Sequence, residues 1–76
     1  MENSMFTELR CNYFDDFTHE WCVDGWVTDD GDEEGFVVAR INEDTFEVTY
    51  TDSKFKKDNY VLETIKNKLK EIVNRD

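Results

Sequence analysis

Apolar residues recur with period two through the first two-thirds of the chain and with a helical period in its last quarter. These are the spacings of half-buried strands and of an amphipathic helix. A first strand is predicted over 5–14, with Met5, Leu9, Cys11 and Tyr13 on one face and Phe6 and Phe14 on the other. Asp15 and Asp16 suggest a turn. A second strand follows over 17–27, where Phe17, His19, Trp21 and Val23 share a face. Gly25 interrupts it, and a glycine inside a strand often marks a bulge. Asp30-Gly31 is a hairpin signal, because such a turn needs positive φ at both central positions.

The third and fourth strands are predicted over 36–41 and 45–51. In the fourth, Phe46, Val48 and Tyr50 point one way and Glu47, Thr49 and Thr51 the other. A two-residue turn at Glu43-Asp44 sets Ile41 opposite Phe46 and Ala39 opposite Val48, with Val37, Ala39 and Ile41 facing the core. Matching Trp21 and Val23 to that face across a two-residue Asp30-Gly31 turn fails by one residue, and a bulge at Gly25 repairs the mismatch. The pattern leaves the register of the first hairpin open.

A helix is predicted over 58–75. Asp58 is placed to cap it, and Val61, Leu62, Ile65, Leu69, Ile72 and Val73 form one apolar stripe. The expected architecture is α+β: one two-layer domain over 1–76, an antiparallel four-stranded β-meander with one C-terminal α-helix packed on one face, in the order β-β-β-β-α.

Composition changes this picture in two ways. A chain of 76 residues is small and buries only about 60% of its unfolded surface. Six Phe, three Tyr and two Trp supply the core mass that disulfides or metals supply in other small scaffolds. The net charge of −10 is uneven: from Glu8 to Glu47, thirteen acids stand against Arg10 and Arg40. From Asp58 onward acids and bases cancel, and Lys54, Lys56 and Lys57 read as a solvated connection between sheet and helix. Such a surface repels nucleic acid and anionic membranes and attracts a basic partner. The sequence has no apolar run of bilayer length, and residues 1–10 have neither a basic start nor an apolar stretch of the kind that begins a secretory signal. The expectation is a cytoplasmic protein with Cys11 and Cys22 as free thiols.

Candidate chemistry is sparse. The acidic loop from Asp29 to Glu34 carries ligands for hard cations, but its spacing departs from the EF-hand pattern and suits a solvated turn. Cys11, His19 and Cys22 lack a Cys-x-x-Cys knuckle and a fourth zinc ligand. One of these thiols with His19 is the sole nucleophile and base pair. There is no phosphate-binding loop, nucleotide fingerprint or hydrolase elbow. The expectation is a protein with no catalytic residues, metal or cofactor. The residues that suggest a partner are the acids Asp29, Asp30, Asp32, Glu33 and Glu34 with the aromatics Trp26 and Phe14. If the helix covers one sheet face, Phe6, Phe14 and Trp26 lie on the other, and aromatics beside acids are common interface anchors.

Two functions follow. One is an acidic protein-binding module, in its sharpest form an inhibitor that imitates the charge of nucleic acid and occupies a basic nucleic-acid-binding protein. The alternative is a structural or oligomeric accessory protein, pairing as a homodimer or with a larger subunit through an aromatic sheet face or an exposed strand edge. A small enzyme or metal protein is the third and least supported reading.

Overall fold

The computed structural model describes residues 4–74. It contains four strands, β1 Glu8–Asp15, β2 Glu20–Asp29, β3 Asp32–Asn42 and β4 Val48–Tyr50, then a 3₁₀ turn Ser53–Lys57 and a helix, α1, Asn59–Val73. The strands form one antiparallel sheet in the order β1-β2-β3-β4. The α+β meander with its terminal helix is therefore the observed architecture. Residue 75, where the predicted helix ends, lies outside the described residues. Among the described residues no helix is long and apolar enough to cross a membrane.

The turns place the strand ends. Asp15 accepts the backbone N–H groups of Phe17 and Thr18 on Oδ1, and its carbonyl accepts that of His19. This local bonding keeps residues 16–19 out of the ladder, so Phe17 and His19 sit in a turn and not in β2. His19 has φ 60°. Asp30 and Gly31 form the expected two-residue turn, with φ 52° and 87°, and Asp29 pairs with Asp32. In the third turn, Asn42 Oδ1 accepts from Asp44 and Thr45. That stabilises a four-residue loop, so Ile41 opposes Val48 and Ala39 opposes Tyr50. The expected pairing of Ile41 with Phe46 is corrected by two residues. The shift is even, so Val48 and Tyr50 keep their face, but Phe46 leaves the strand at φ 67°.

Two bulges fix the faces. Val23 pairs with Ala39 and Asp24 with Val37, leaving Val38 as the extra residue. The register repair lies next to its expected place, but the added residue belongs to β3 and not to Gly25. In β1, Arg10 pairs with Asp24 and Tyr13 with Cys22, so Cys11 and Asn12 span the interval opposite Val23. This reverses the phase of the strand. Leu9 and Cys11 face the helix, Tyr13 faces away, and Phe14 returns to the helix side, where its ring lies 5.0 Å from that of Trp21.

The core lies between the sheet and α1. Val23, Val38, Ala39, Ile41 and Val61 have no exposed surface. Phe6 is also buried, with its ring 5.7 Å from Phe36 and 5.5 Å from Phe55. Phe55 comes from the 3₁₀ turn, whose start Asp52 caps by accepting from the Lys54 amide. The basic connection is thus partly a core element: its lysines are exposed and its aromatic ring closes one end of the hydrophobic layer. Asp58 caps α1, accepting from the amides of Tyr60 and Val61. Along α1 the stripe is wider than its cover: Val61, Ile65 and Ile72 are buried, whereas Leu62 and Val73 stay exposed.

Candidate protein-binding surfaces

The Asp30-Gly31 turn ends an arm made by the last residues of β2 and the first of β3. Residues 28–35 are all exposed. Their register puts Asp29 against Asp32, Thr28 against Glu33 and Val27 against Glu34. Like charges directly opposite each other in a ladder are destabilising. No ion pair among the described residues involves any of the five carboxylates from Asp29 to Glu34.

The root of the arm is packed on the open face of the sheet, the side away from α1. There Trp26 lies across from Gly35. A Cβ on Gly35 would come within 2.5 Å of the Trp26 Nε1, so only glycine admits the indole. The Arg10 guanidinium stands 5.2 Å from the centre of the Trp26 ring, and Arg10 Nε donates to Glu8 Oε2 at 2.6 Å. This stack of Arg10, Trp26 and Gly35 holds the arm's base in one orientation. Trp26 is accordingly half-buried and is less an open anchor than a brace.

The rest of the open face is of mixed charge. Tyr13, Cys22, Arg40 and Thr49 form a row across the four strands, with Asp15, Glu20 and Asn42 in the next. Arg40 Nη1 lies 3.4 Å from Asp15 Oδ2 and 3.5 Å from Glu20 Oε1. The Asp15 carboxyl is held below its ordinary range, first by the Phe17 amide it accepts. Asp24, half-buried nearby, is pushed the other way by burial, with Arg40 opposing the shift. A carboxyl whose folded pKa is raised is penalised when ionised, and the penalty disappears once pH falls below its unfolded value. Asp24→Asn is therefore expected to raise the melting temperature at pH 7, with the gain closing as pH falls below about 4. Melting curves at the two pH values check this; an equal effect at both would mean that ionisation of Asp24 is not what costs stability.

The predicted partner residues divide. The five acids share the arm, and Trp26 supports it from the open face. Phe14 lies near the opposite end of the sheet, on the helix side against Trp21, and Phe6 is in the core. The expectation that Phe6, Phe14 and Trp26 share an outer face is thus corrected: the β1 bulge moves Phe14 to the helix side, and Phe6 precedes β1, so the alternation of that strand does not place it. No family model matches the chain, and comparison with curated proteins and with solved structures gives no match. The surfaces must be read from their own chemistry.

The thiols are poorly suited to attack. Cys11 faces the helix and Cys22 the open side, and both are free. Burial pushes the Cys11 thiol up to about 11 and also raises that of Cys22, and the thiolate is the nucleophilic form. His19 is engaged elsewhere, with Nδ1 3.3 Å from Asp44 Oδ2 and its ring against Phe14. Among the described residues no three His, Cys, Asp or Glu side chains are grouped to hold a metal ion.

Proposed function

We propose that this chain is a small acidic, non-enzymatic protein-binding module whose β2–β3 arm engages a basic partner. In the sharpest form of this reading the partner is a nucleic-acid-binding protein, and the arm competes for the Lys and Arg groups that hold phosphate. The observation that carries the reading is the arm itself: five exposed carboxylates with no ion pair among the described residues, two of them opposed across the turn. The fold bears the repulsion between Asp29 and Asp32 in the free protein. A basic partner relieves it on binding, and much of the affinity of DNA-binding proteins likewise comes from pairing their cations with phosphate. The braced root at Trp26 and Gly35 supports the same reading, because a preorganised arm loses less freedom on binding.

The test is capture from a bacterial lysate on immobilised protein, compared with a variant carrying Asp29→Asn, Asp30→Asn, Asp32→Asn, Glu33→Gln and Glu34→Gln. All five positions are exposed, and Asn tolerates the positive φ at Asp30, so the variant is expected to fold. A nucleic-acid-binding protein should be retained by the parent, lost from it as salt rises or DNA is added, and absent from the variant. Equal retention by the folded variant would remove the arm from the binding surface.

A further inference from the structure

β4 is the last strand of the sheet, and among the described residues no strand pairs with its outer edge. Asn42 donates its backbone N–H to the Glu47 carbonyl, and Thr51 donates to that of Val38. The Glu47 carbonyl and the Thr51 N–H therefore point toward β3. By strand alternation, the N–H and C=O groups of Val48 and Tyr50 point outward. Beneath this edge runs a groove of about 630 Å³ between β4 and α1, walled by Val48 and Tyr50 on one side and by Leu62, Ile65, Leu69 and Val73 on the other. Leu62 and Val73 are 40% and 61% exposed, a large apolar area left beside an open ladder. Lys66 and Lys70 also line the groove, and neither has an ion pair among the described residues. Lys56 adds a third cation, with Nζ 5.9 Å from the centre of the Tyr50 ring.

We infer that this groove is a docking site for an extended, carboxylate-bearing peptide segment of a partner protein, which joins the sheet beside β4 as a fifth strand. Main-chain groups on the free edge select an extended backbone, and alternate side chains of that backbone fall into the groove. The apolar walls take aliphatic side chains, and Lys66 and Lys70 select acidic ones. A second copy of this chain fits less well, because a two-fold axis perpendicular to the sheet beside β4, which pairs the two edges antiparallel, puts both helices on the same face and sets the Lys66 and Lys70 of one copy beside those of the other. The site is separate from the acidic arm and of opposite charge, so it does not depend on the function proposed above.

The probe is a fluorescein-labelled nonapeptide, Thr-Val-Thr-Glu-Thr-Val-Thr-Glu-Thr, titrated by anisotropy and by amide NMR. Saturable binding is expected, with amide shifts at Val48, Tyr50, Leu62 and Val73. Replacing Glu by Lys in the peptide should weaken binding by about tenfold or more, and N-methylation of the edge-facing peptide amides should abolish it. The exposed double substitution Lys66→Glu, Lys70→Glu should reverse the preference between the two peptides while leaving lysate capture by the arm unchanged. No saturable binding, shifts confined to the arm, insensitivity to N-methylation, or a sedimenting dimer that buries the β4 edge would each overturn the proposal.

Discussion

Phe55→Ala is expected to remove about 3–5 kcal/mol of folding free energy, the usual loss when a buried Phe is truncated. The ring is buried at the end of the core, 5.5 Å from Phe6 and 6.0 Å from Phe36. Its loss leaves two aromatic rings without a shared neighbour. A chain of 76 residues is stable by only about 4–11 kcal/mol, so the variant stands close to unfolding at room temperature. Urea denaturation followed by circular dichroism should show a large fall in the midpoint. Lys54→Ala and Lys56→Ala in the same turn should change stability by no more than about 0.5 kcal/mol. A Phe55→Ala loss as small as that of the lysine variants would mean that the 3₁₀ turn is not part of the core.

Gly25→Ala carries the second large effect, and its sign is informative. Gly25 does not have a positive φ. Backbone entropy alone therefore favours alanine by about 0.4–1 kcal/mol. Sterics oppose it: a Cβ at this position would lie 2.6 Å from Phe6 Cδ1 and 2.8 Å from Val38 Cγ2. The Phe6 ring cannot swing away freely, because Phe36 and Phe55 hold it. Overpacking of this kind costs about 1–3 kcal/mol, which outweighs the entropy gain. The expected result is a destabilised protein, partly restored by Phe6→Leu in a double-mutant cycle. A stabilised Gly25→Ala would show that Phe6 does not press on β2.

Gly25 also marks how far sequence reasoning reached. Its place in an otherwise regular strand pattern suggested a bulge, and the ladder does slip by one residue beside it. The added residue is Val38, however, because Gly25 is needed as a flat patch under the Phe6 ring. That requirement arises from a residue nineteen positions away, and no local pattern encodes it. The same holds for Phe55. Flanked by lysines, it read as part of a solvated connection, and only the meeting of the 3₁₀ turn with Phe6 and Phe36 makes it core.

The arm was legible because its signals are local. Asp30-Gly31 dictates the turn, the turn dictates the register of Asp29 against Asp32, and the carboxylates must then lie along an exposed ribbon. Trp26 and Phe14 were misgrouped for a non-local reason. Alternation assigns faces only while it is unbroken, and the Cys11–Asn12 bulge shifts every later β1 side chain to the opposite face. The groove beside β4 was hidden in a different way. The stripe from Val61 to Val73 was visible in the sequence, but not that the sheet ends in a three-residue strand too narrow to cover it.

Period and turn chemistry thus determined by themselves the element types, the meander, the capped helix and the acidic arm. These depend on interactions between residues close in the chain. The tertiary structure alone decided which residue each bulge added, which aromatics enter the core, and where an apolar wall and an unpaired strand edge remain open. Each of these depends on the match in size between elements that meet across the fold, and periodicity carries no measure of that match.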